Sequence, residues 1–259
     1  MKTVILCGGM GTRLREETEY RPKSMVQIGG RPLLWHVMKL YANYGFTDFV
    51  LCLGYKGMEI KQYFLNYATH HHDFTIHLGS DRPIEWHQHH EETDWRITLV
   101  DTGLKAHTGA RLKRVASYLP DDTFLLTYGD GVSDVDLKKL YAFHKKHGKL
   151  ATVTTVRPIS RFGVLELDDS NGVAGFNEKP QLDGWINVGF FVCERGVFDY
   201  LSDDPGCVLE QDPLRHLAKD GQLVAYRHDG FFYAMDTYRE YKLLNDLWDS
   251  GQAPWKVWV

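Results

Sequence analysis

The sequence predicts an α/β fold: a Rossmann-like, mostly parallel sheet flanked by helices, with a smaller antiparallel extension in the second half. Two patterns predict it. Short, nearly uniformly apolar runs alternate with segments of helical periodicity over residues 1–156, which is typical of parallel strands buried on both faces. Closely spaced, strand-like runs then follow from residue 157, which favours antiparallel pairing.

Each element of the first part is predicted by its apolar period. TVILC (3–7) is rich in branched residues and ends at glycines, so it predicts a buried strand. Pro32 suits the first position and Gly45 the end of a helix over 32–44. A possible capping box, Ser133 with Asp136, opens a later helix. Further strands are predicted at 47–53, 95–103, 123–128 and 150–156, and further helices at 57–67, 109–119 and 134–147.

From residue 157 the predicted strands are shorter and more closely spaced. Three short strands at 162–169, 172–180 and 186–194 are expected to form an antiparallel extension that covers one edge of the site. A helix near 209–220, a strand at 222–228 and a helix from Thr237 to about Ser250 follow. The sequence contains no repeat or linker, so we expect a single domain over 1–259.

Composition excludes some classes of protein. The 259 residues are 43% hydrophobic and 25% charged, as in globular proteins. Thirty basic against 34 acidic residues, without a long block of like charge, argue against a nucleic-acid coat. Apolar runs are too short for a signal peptide or a membrane span. No cysteine lies in a CxxC pair, which favours buried thiols and a cytoplasmic location.

A glycine-rich loop, CGGMGTRL (7–14), follows the first strand directly. Its glycines allow the backbone to approach an anion closely, and Arg13 adds a forked cation. A tight strand-to-helix turn explains the glycines equally well. The loop is not a dinucleotide fingerprint, because Leu14 occupies the third glycine position, and the phosphate-loop pattern G-x-x-x-x-G-K-[ST] occurs nowhere.

The loop followed nine residues later by Pro22-Lys23 resembles the signature of the sugar-phosphate nucleotidyltransferases. Further motifs are similar, in order along the whole chain, to the glucose-1-phosphate cytidylyltransferase branch of that family. These motifs are GGRPLLWHVMK, LGYKG, VDTG, GARLKRV, YGDGVSD, RFG, NEKP, INVGFFV, AMDT and APWK.

The resemblance implies a reaction between CTP and α-D-glucose 1-phosphate that gives CDP-glucose and pyrophosphate. No residue type here encodes cytosine, so UTP, dTTP or another hexose 1-phosphate is an alternative, as is a non-catalytic nucleotide-sugar sensor. The resemblance also implies a nucleotide-binding part over about 1–156, a sugar-binding part over about 157–259, and a homo-oligomer based on trimers, a hexamer included.

Mg²⁺ is the expected cofactor. The attacking phosphate oxygen is already ionised, so the barrier is electrostatic, and Mg²⁺ binds through one or two carboxylates plus substrate phosphates. Asp130 lies between Gly129 and Gly131 at the end of a buried strand, where ligands of open α/β sheets collect. Asp236 precedes a Thr237–Glu240 capping box and resembles the family's second magnesium ligand. A turn or helix-start role is the alternative for each.

The resemblance implies further site residues. Arg13 and Lys23 are similar to the catalytic cations that hold the triphosphate, although a lysine after proline is often merely solvated. Arg111, with Lys113 and Arg114, fits a solvated helix face equally well. The implied nucleotide-binding residues are Leu6, Cys7, Gly8, Gly9, Met10, Gly11, Thr12, Arg13, Lys23, Arg111 and Gly129. The implied sugar-phosphate-binding residues are Gly163, Glu178, Lys179 and Asn187.

Seven of the thirteen histidines lie between residues 70 and 90. Their spacing matches no tetrahedral pattern, so a polar surface excursion is favoured over a transition-metal site. Three aromatic residues between 70 and 95, Phe74, Trp86 and Trp95, suggest that this stretch packs on another surface, such as a neighbouring subunit. Segments 80–95 and 104–110 differ most from the family, and base selection or subunit contacts are expected to differ there.

Overall fold

The computed structural model describes residues 1–11, 14–79, 81–88, 91–160 and 162–258, with the backbone alone at 15–16. The strands are β1 (Lys2–Leu6), β2 (Gln27–Ile28), β3 (Arg31–Pro32), β4 (Asp48–Leu53), β5 (Phe74–Thr75), β6 (Glu85–Trp86), β7 (Arg96–Asp101), β8 (Thr123–Tyr128), β9 (Gly131–Ser133), β10 (Ala151–Val156), β11 (Val164–Leu167), β12 (Val173–Asn177), β13 (Ile186–Glu194), β14 (Leu223–Arg227) and β15 (Phe232–Ala234). The helices are α1 (Arg15–Thr18), α2 (Leu33–Asn43), α3 (Gly57–Leu65), α4 (Tyr67–His71), α5 (Thr108–Arg114), α6 (Leu137–His147), α7 (Asp212–Lys219) and α8 (Tyr238–Asp249).

The central sheet has seven strands in the order β14-β10-β13-β8-β1-β4-β7. Strand β1 pairs in parallel with β4 and β8, β4 with β7, and β10 with β14. Helices α2, α3, α6 and α8 contribute to the apolar cluster on one face, and α5 and α7 to the cluster on the other. The predicted α/β fold with a mostly parallel, doubly covered sheet is therefore confirmed.

Strand β13 is the main correction. The sequence assigned 186–194 to the antiparallel extension, but β13 lies inside the central sheet, antiparallel to both β8 and β10. The reason is that its residues 188–193 are all buried, which a two-stranded ribbon on the surface cannot provide. The extension is the hairpin β11–β12 alone.

The start of α6 is a second correction. Asp136 itself caps this helix, because its Oδ1 accepts from Lys139 N at 2.9 Å. Ser133 belongs instead to β9, and its hydroxyl donates to the carbonyl of Phe231 at 2.7 Å. The β9–β15 pair was not predicted. The predicted helix over 109–119 ends early, and a 3₁₀ turn at Ala116–Tyr118 follows it.

The histidine-rich stretch contains α4 and the hairpin β5–β6. His71 Nε2 lies 3.0 Å from the Tyr63 hydroxyl, and Phe74 packs against Trp86 across the hairpin. His89 and His90 lie outside the described residues. In the ranges that the structure covers, no helix combines the length and the apolar character that crossing a membrane requires.

His36 lies fully buried on α2, with three tryptophan rings of α8 and the chain end packed around it (Trp248, Trp255 and Trp258). The indole N–H of Trp255 is a donor only, so His36 Nδ1 accepts from it at 3.4 Å and Nε2 donates to the Ile28 carbonyl at 2.9 Å. Protonation would place two donors face to face. Burial, together with the positive charge of Arg31, lowers the pKa of His36 to about 4.

The free energy of unfolding is therefore expected to fall as the pH drops from 6.5 towards 4, because the unfolded chain binds a proton that the folded chain does not. The contribution of His36 is about 2 kcal/mol between pH 7 and pH 5. Urea unfolding at both values measures it. His36→Phe should remove the contribution of His36 and so reduce this pH dependence, while His71, whose pKa is also lowered to about 4 chiefly by burial, continues to contribute. His87→Gln, on the exposed hairpin, should retain the full pH dependence, and equal slopes in both variants would refute the assignment.

Candidate active site

A cavity of about 300 Å³ opens at the carboxyl ends of β1 and β8, beside the glycine-rich loop. Ligands of open α/β sheets collect at such ends. The residues lining it are Leu6, Cys7, Gly8, Gly9, Gly11, Lys23, Ser24, Ala106, His107, Thr108, Arg111, Tyr128, Gly129, Asp130 and Asp236.

Three charged side chains meet in this cavity. Lys23 Nζ lies 2.7 Å from Asp130 Oδ2 and 2.5 Å from Asp236 Oδ1. Burial alone would lower the pKa of Lys23, but the two carboxylates outweigh it and raise that pKa above its ordinary value. The ammonium is therefore charged and holds together two acids that are far apart in sequence.

Each of these groups is positioned by a different element. Asp130 follows β8, and Lys23 begins a 3₁₀ turn behind Pro22, whose backbone is extended. The N–H of Met235 donates to the Asp130 carbonyl at 2.9 Å, which brings the end of β15 alongside. Asp236 is fixed by the predicted capping box: Glu240 Oε2 accepts from the backbone N–H of both Asp236 and Thr237.

The carboxylate pair fits Mg²⁺ by its chemistry. Asp130 and Asp236 present hard oxygen donors around a cation, and such a pair leaves the other positions for substrate phosphates and water. Within the described ranges, no group of three or more histidine, cysteine or acidic side chains is arranged to hold a metal. A magnesium ion here would therefore depend on these two acids and on the substrate.

Arg111 lies buried beneath the glycine loop, only 4% exposed, so the interpretation as a solvated helix face is wrong. Its guanidinium donates to the carbonyls of Leu53 at 2.8 Å and Gly8 at 3.0 Å, and to the Thr102 hydroxyl. It ties the loop to the end of β4 and supplies a positive charge behind the cavity.

Gly8 is required by this arrangement. A Cβ at Gly8 would lie 2.3 Å from Arg111 Nη1, whereas a Cβ at the neighbouring Gly9 meets nothing within 4 Å. The first glycine therefore makes room for a buried side chain, which is a different reason from the ligand approach that the sequence suggested.

Gly8→Ala is accordingly expected to lower the free energy of unfolding by about 1–3 kcal/mol, because the methyl group displaces Arg111. Gly9→Ala is the matched control and should leave that free energy nearly unchanged. Chemical denaturation of the two variants checks this, and equal stability would show that Arg111 does not pack as described.

Of the described residues expected to bind the nucleotide, all but Met10 line the cavity. Leu6, Cys7, Gly8, Gly9, Gly11 and Gly129 all line the cavity, while Met10 is 57% exposed and does not. Thr12 and Arg13 lie outside the described residues. The thiol of Cys7 points into the core and donates to the carbonyl of Cys52 at 3.4 Å, and burial raises its pKa to about 12.

The expected sugar-phosphate residues fall into two groups. Gly163, Glu178 and Lys179 cluster on the exposed hairpin: a Cβ at Gly163 would lie 3.1 Å from Glu178 Oε2, and Lys179 Nζ lies 3.4 Å from Glu178 Oε1. None of these three lines the cavity described above. Asn187 reaches it indirectly, because its Nδ2 donates to the Tyr128 hydroxyl at 3.3 Å.

Five cavity residues were not singled out from the sequence: Ser24, Ala106, His107, Thr108 and Tyr128. Three of them belong to the 104–110 segment, where base selection was expected to differ. Tyr128 begins the YGDGVSD motif, two residues before Asp130, and that motif is the signal that could have found it.

Comparison with known proteins assigns this chain to a family. The family model described as Nucleotidyl transferase matches residues 2–233. Glucose-1-phosphate cytidylyltransferase of Salmonella typhi is 52% identical over 260 residues, with 100% of both chains covered. The probable glucose-1-phosphate cytidylyltransferase of Bacillus subtilis is 45% identical over 258 residues, again with full coverage of both.

Solved structures agree on the fold. HddC from Yersinia pseudotuberculosis superposes with a TM-score of 0.70 at 23% identity, covering 95% of this chain and 99% of that one. A UDP-glucose pyrophosphorylase complexed with UDP-glucose gives 0.69 at 16% identity, covering 96% and 98%. The chain therefore belongs to the nucleotidyl transferase family and is similar over its full length to the glucose-1-phosphate cytidylyltransferases.

Proposed function

We propose that the chain transfers a cytidylyl group from CTP to α-D-glucose 1-phosphate, releasing CDP-glucose and pyrophosphate. The observation that carries the chemistry is the meeting of Lys23, Asp130 and Asp236 beside the glycine loop. The choice of CTP and glucose 1-phosphate is supported by the full-length similarity to the Salmonella and Bacillus relatives.

In the proposed reaction, a phosphate oxygen of the sugar phosphate forms a bond to the α-phosphorus of CTP. The bond from that phosphorus to the bridging oxygen breaks, and pyrophosphate leaves with the electron pair. The oxygen is ionised at neutral pH, so this chain needs no base to activate it. Its residues must instead align two anions and neutralise their charge.

Asp130 and Asp236 would hold Mg²⁺, which when bound neutralises phosphate charge at the reacting centre. The raised pKa of Lys23 keeps its ammonium charged, so it is available to hold triphosphate oxygens. Arg13 is proposed as a second cation on the triphosphate. Arg111 fixes the loop from behind through the Gly8 carbonyl, and its buried charge favours anions in the cavity.

For the sugar phosphate we keep Gly163, Glu178, Lys179 and Asn187 as the proposed binding residues. Three of them lie at the ends of the hairpin β11–β12, which forms a two-stranded sheet separate from the central one. If the hairpin reaches over the cavity when the sugar phosphate binds, Lys179 would come to the phosphate.

A homo-oligomer based on trimers is proposed as well. The hairpin β11–β12 exposes large apolar side chains at 51–62% (Leu165, Leu167, Val173 and Phe176), and contiguous exposed apolar surface supports a protein contact. Light scattering on the purified chain measures the mass directly; a monomer would contradict this proposal. A cytoplasmic location is supported by the buried free thiols of Cys7, Cys52 and Cys193.

A pyrophosphate-release assay tests the function. CTP, UTP, dTTP, GTP and ATP are each combined with glucose 1-phosphate and with mannose 1-phosphate, with Mg²⁺ present and absent. The proposal expects the largest kcat/KM for CTP with glucose 1-phosphate, and activity that requires the metal. A preference for another nucleotide or hexose would correct the specificity, and no release with any pair would contradict the enzymatic function.

A further inference from the structure

Glu210 joins two walls of the cavity through its carboxylate. The Tyr128 hydroxyl donates to Glu210 Oε1, and Thr108 Oγ1 donates to Glu210 Oε2 at 2.6 Å. Tyr128 ends β8 and Thr108 begins α5, and both line the cavity. The loop that carries Glu210 is docked onto α5, where the N–H of Ala110 donates to the Cys207 carbonyl at 3.1 Å.

The direction of the hydrogen bonds at Tyr128 is fixed by its neighbours. Asn187 Oδ1 accepts from the N–H of Gly189 at 2.7 Å, so the amide NH₂ faces Tyr128 and donates to it at 3.3 Å. A carboxylate only accepts hydrogen bonds, so the phenolic O–H of Tyr128 points to Glu210 and donates to it.

The ring itself is held against the next strand. Gly189 has a φ of +82°, and a Cβ there would lie 2.1 Å from Tyr128 Cδ2. The ring therefore packs directly on the backbone of β13, and Tyr128 cannot rotate toward that strand. Its hydroxyl is thus fixed by one ring contact and two hydrogen bonds.

Thr108 repeats the pattern on the other wall. Its Oγ1 accepts from the N–H of Leu209 at 2.9 Å while it donates to Glu210. A hydroxyl oxygen has one proton and two lone pairs. At both Tyr128 and Thr108, the proton and one lone pair are in use, so one lone pair remains for a ligand.

We propose that Glu210 is a positioning residue: by accepting a hydrogen bond from each hydroxyl, it leaves Tyr128 Oη and Thr108 Oγ1 able only to accept hydrogen bonds from a ligand. This rests on the proposed function, which supplies a ligand with both kinds of group. Phosphate oxygens therefore find no donor at these two hydroxyls and are directed to Lys23, whereas hydroxyl groups of the sugar and ribose can donate to them. Glu210 thereby helps to place the phosphate groups of each substrate near Lys23 and its sugar hydroxyls near Tyr128 and Thr108.

The lone pair of Tyr128 is assigned to the hexose 1-phosphate. In the sheet order, β13 lies on one side of β8, while β1 and the glycine loop that follows it lie on the other. Tyr128 is tied to the β13 side through Asn187, away from the loop that faces the nucleotide. One hydroxyl of the hexose should therefore donate to Tyr128 Oη.

The test compares glucose 1-phosphate with its 2-, 3-, 4- and 6-deoxy analogues in the wild type, Tyr128→Phe and Glu210→Gln. In the wild type, one analogue should raise KM about threefold to tenfold, the cost of one hydrogen bond. Tyr128→Phe should raise the KM for glucose 1-phosphate by a similar factor, and that analogue should then carry no further penalty. The KM for CTP should not change in this variant.

Glu210→Gln should raise the KM for glucose 1-phosphate while the melting temperature stays within a few degrees, because an amide can donate and no longer fixes both protons. Asp212→Asn, on the exposed first turn of α7, is the matched control and should behave as the wild type. Two outcomes would overturn the inference. One is an unchanged KM for glucose 1-phosphate in both Glu210→Gln and Tyr128→Phe; the other is that every deoxy analogue raises KM by the same factor in Tyr128→Phe as in the wild type.

The failure of the proposed function is distinguishable from this result. If the wild type releases no pyrophosphate from CTP and glucose 1-phosphate, calorimetric binding of glucose, mannose and galactose 1-phosphates replaces turnover. Tyr128→Phe and Glu210→Gln should then weaken binding of the hexose phosphate that the wild type binds best. Wild-type affinity in both variants would refute the role of Glu210 whatever the reaction is.

Discussion

Asp130→Asn is expected to lower kcat/KM by about 10³-fold or more while the melting temperature changes little. The amide keeps the shape of the side chain but loses the charge that would hold Mg²⁺ and, through it, the phosphates. Asp130 is 39% exposed on its side chain, and Lys23 retains Asp236 as a partner, so folding should tolerate the change. Steady-state kinetics and thermal melts on the same preparation measure both effects.

Asp134→Asn is the matched control for this variant. Asp134 is a nearby acid that accepts from the N–H of Phe231 at 2.7 Å and lies 2.8 Å from His228 Nε2, so its contacts are structural. It should lose stability with little loss of kcat. A large drop in melting temperature for Asp130→Asn, with turnover preserved, would show that Asp130 stabilises the turn instead.

Lys23→Met is expected to reduce kcat/KM by about 10²-fold or more, because the triphosphate loses a charge-assisted donor. The structure adds an unusual second result. Lys23 Nζ lies between the two carboxylates, so it competes with a divalent cation for them. Without nucleotide, the Lys23→Met variant should therefore bind Mn²⁺ more tightly than the wild type, by roughly tenfold.

Lys39→Met provides the control for a lysine held by two acids elsewhere. Lys39 Nζ lies 3.0 Å from both Glu91 Oε2 and Glu92 Oε1, away from the cavity, and its substitution should leave both kinetics and Mn²⁺ affinity unchanged. Normal use of CTP by Lys23→Met, or Mn²⁺ binding weaker than in the wild type, would contradict the assignment of Lys23.

Much of the fold was accessible from local sequence. Strands such as 123–128 are mostly apolar, and that property indicates burial on both faces of a parallel sheet. The pairing partners of a strand could not be predicted in the same way. Close spacing in sequence suggested that 186–194 belongs to the antiparallel extension, whereas this strand pairs with β8 and β10. The predicted Ser133–Asp136 capping box was wrong because Ser133 lies in β9, which pairs with β15 about 100 residues later in the sequence.

In the site, too, local sequence does not reveal which distant residues come together. Lys23 is 107 residues from Asp130 and 213 from Asp236, so no local pattern joins them. The family resemblance named all three, and the comparisons confirm the family. Arg111 was ambiguous because helical spacing does not reveal whether a basic residue faces solvent or a loop. Glu210 was missed because its partners, Thr108 and Tyr128, are brought to it only by tertiary structure.

The central claim is that Asp130 and Asp236 together hold the divalent cation that the substrate phosphates share. Electron paramagnetic resonance of Mn²⁺ with the wild type, Asp130→Asn and Asp236→Asn tests it directly, in the presence of a non-hydrolysable CTP analogue and corrected for the nucleotide complex in solution. We expect one bound ion per chain in the wild type and an affinity at least about tenfold lower in each variant. Equal Mn²⁺ affinity in all three proteins would contradict the claim.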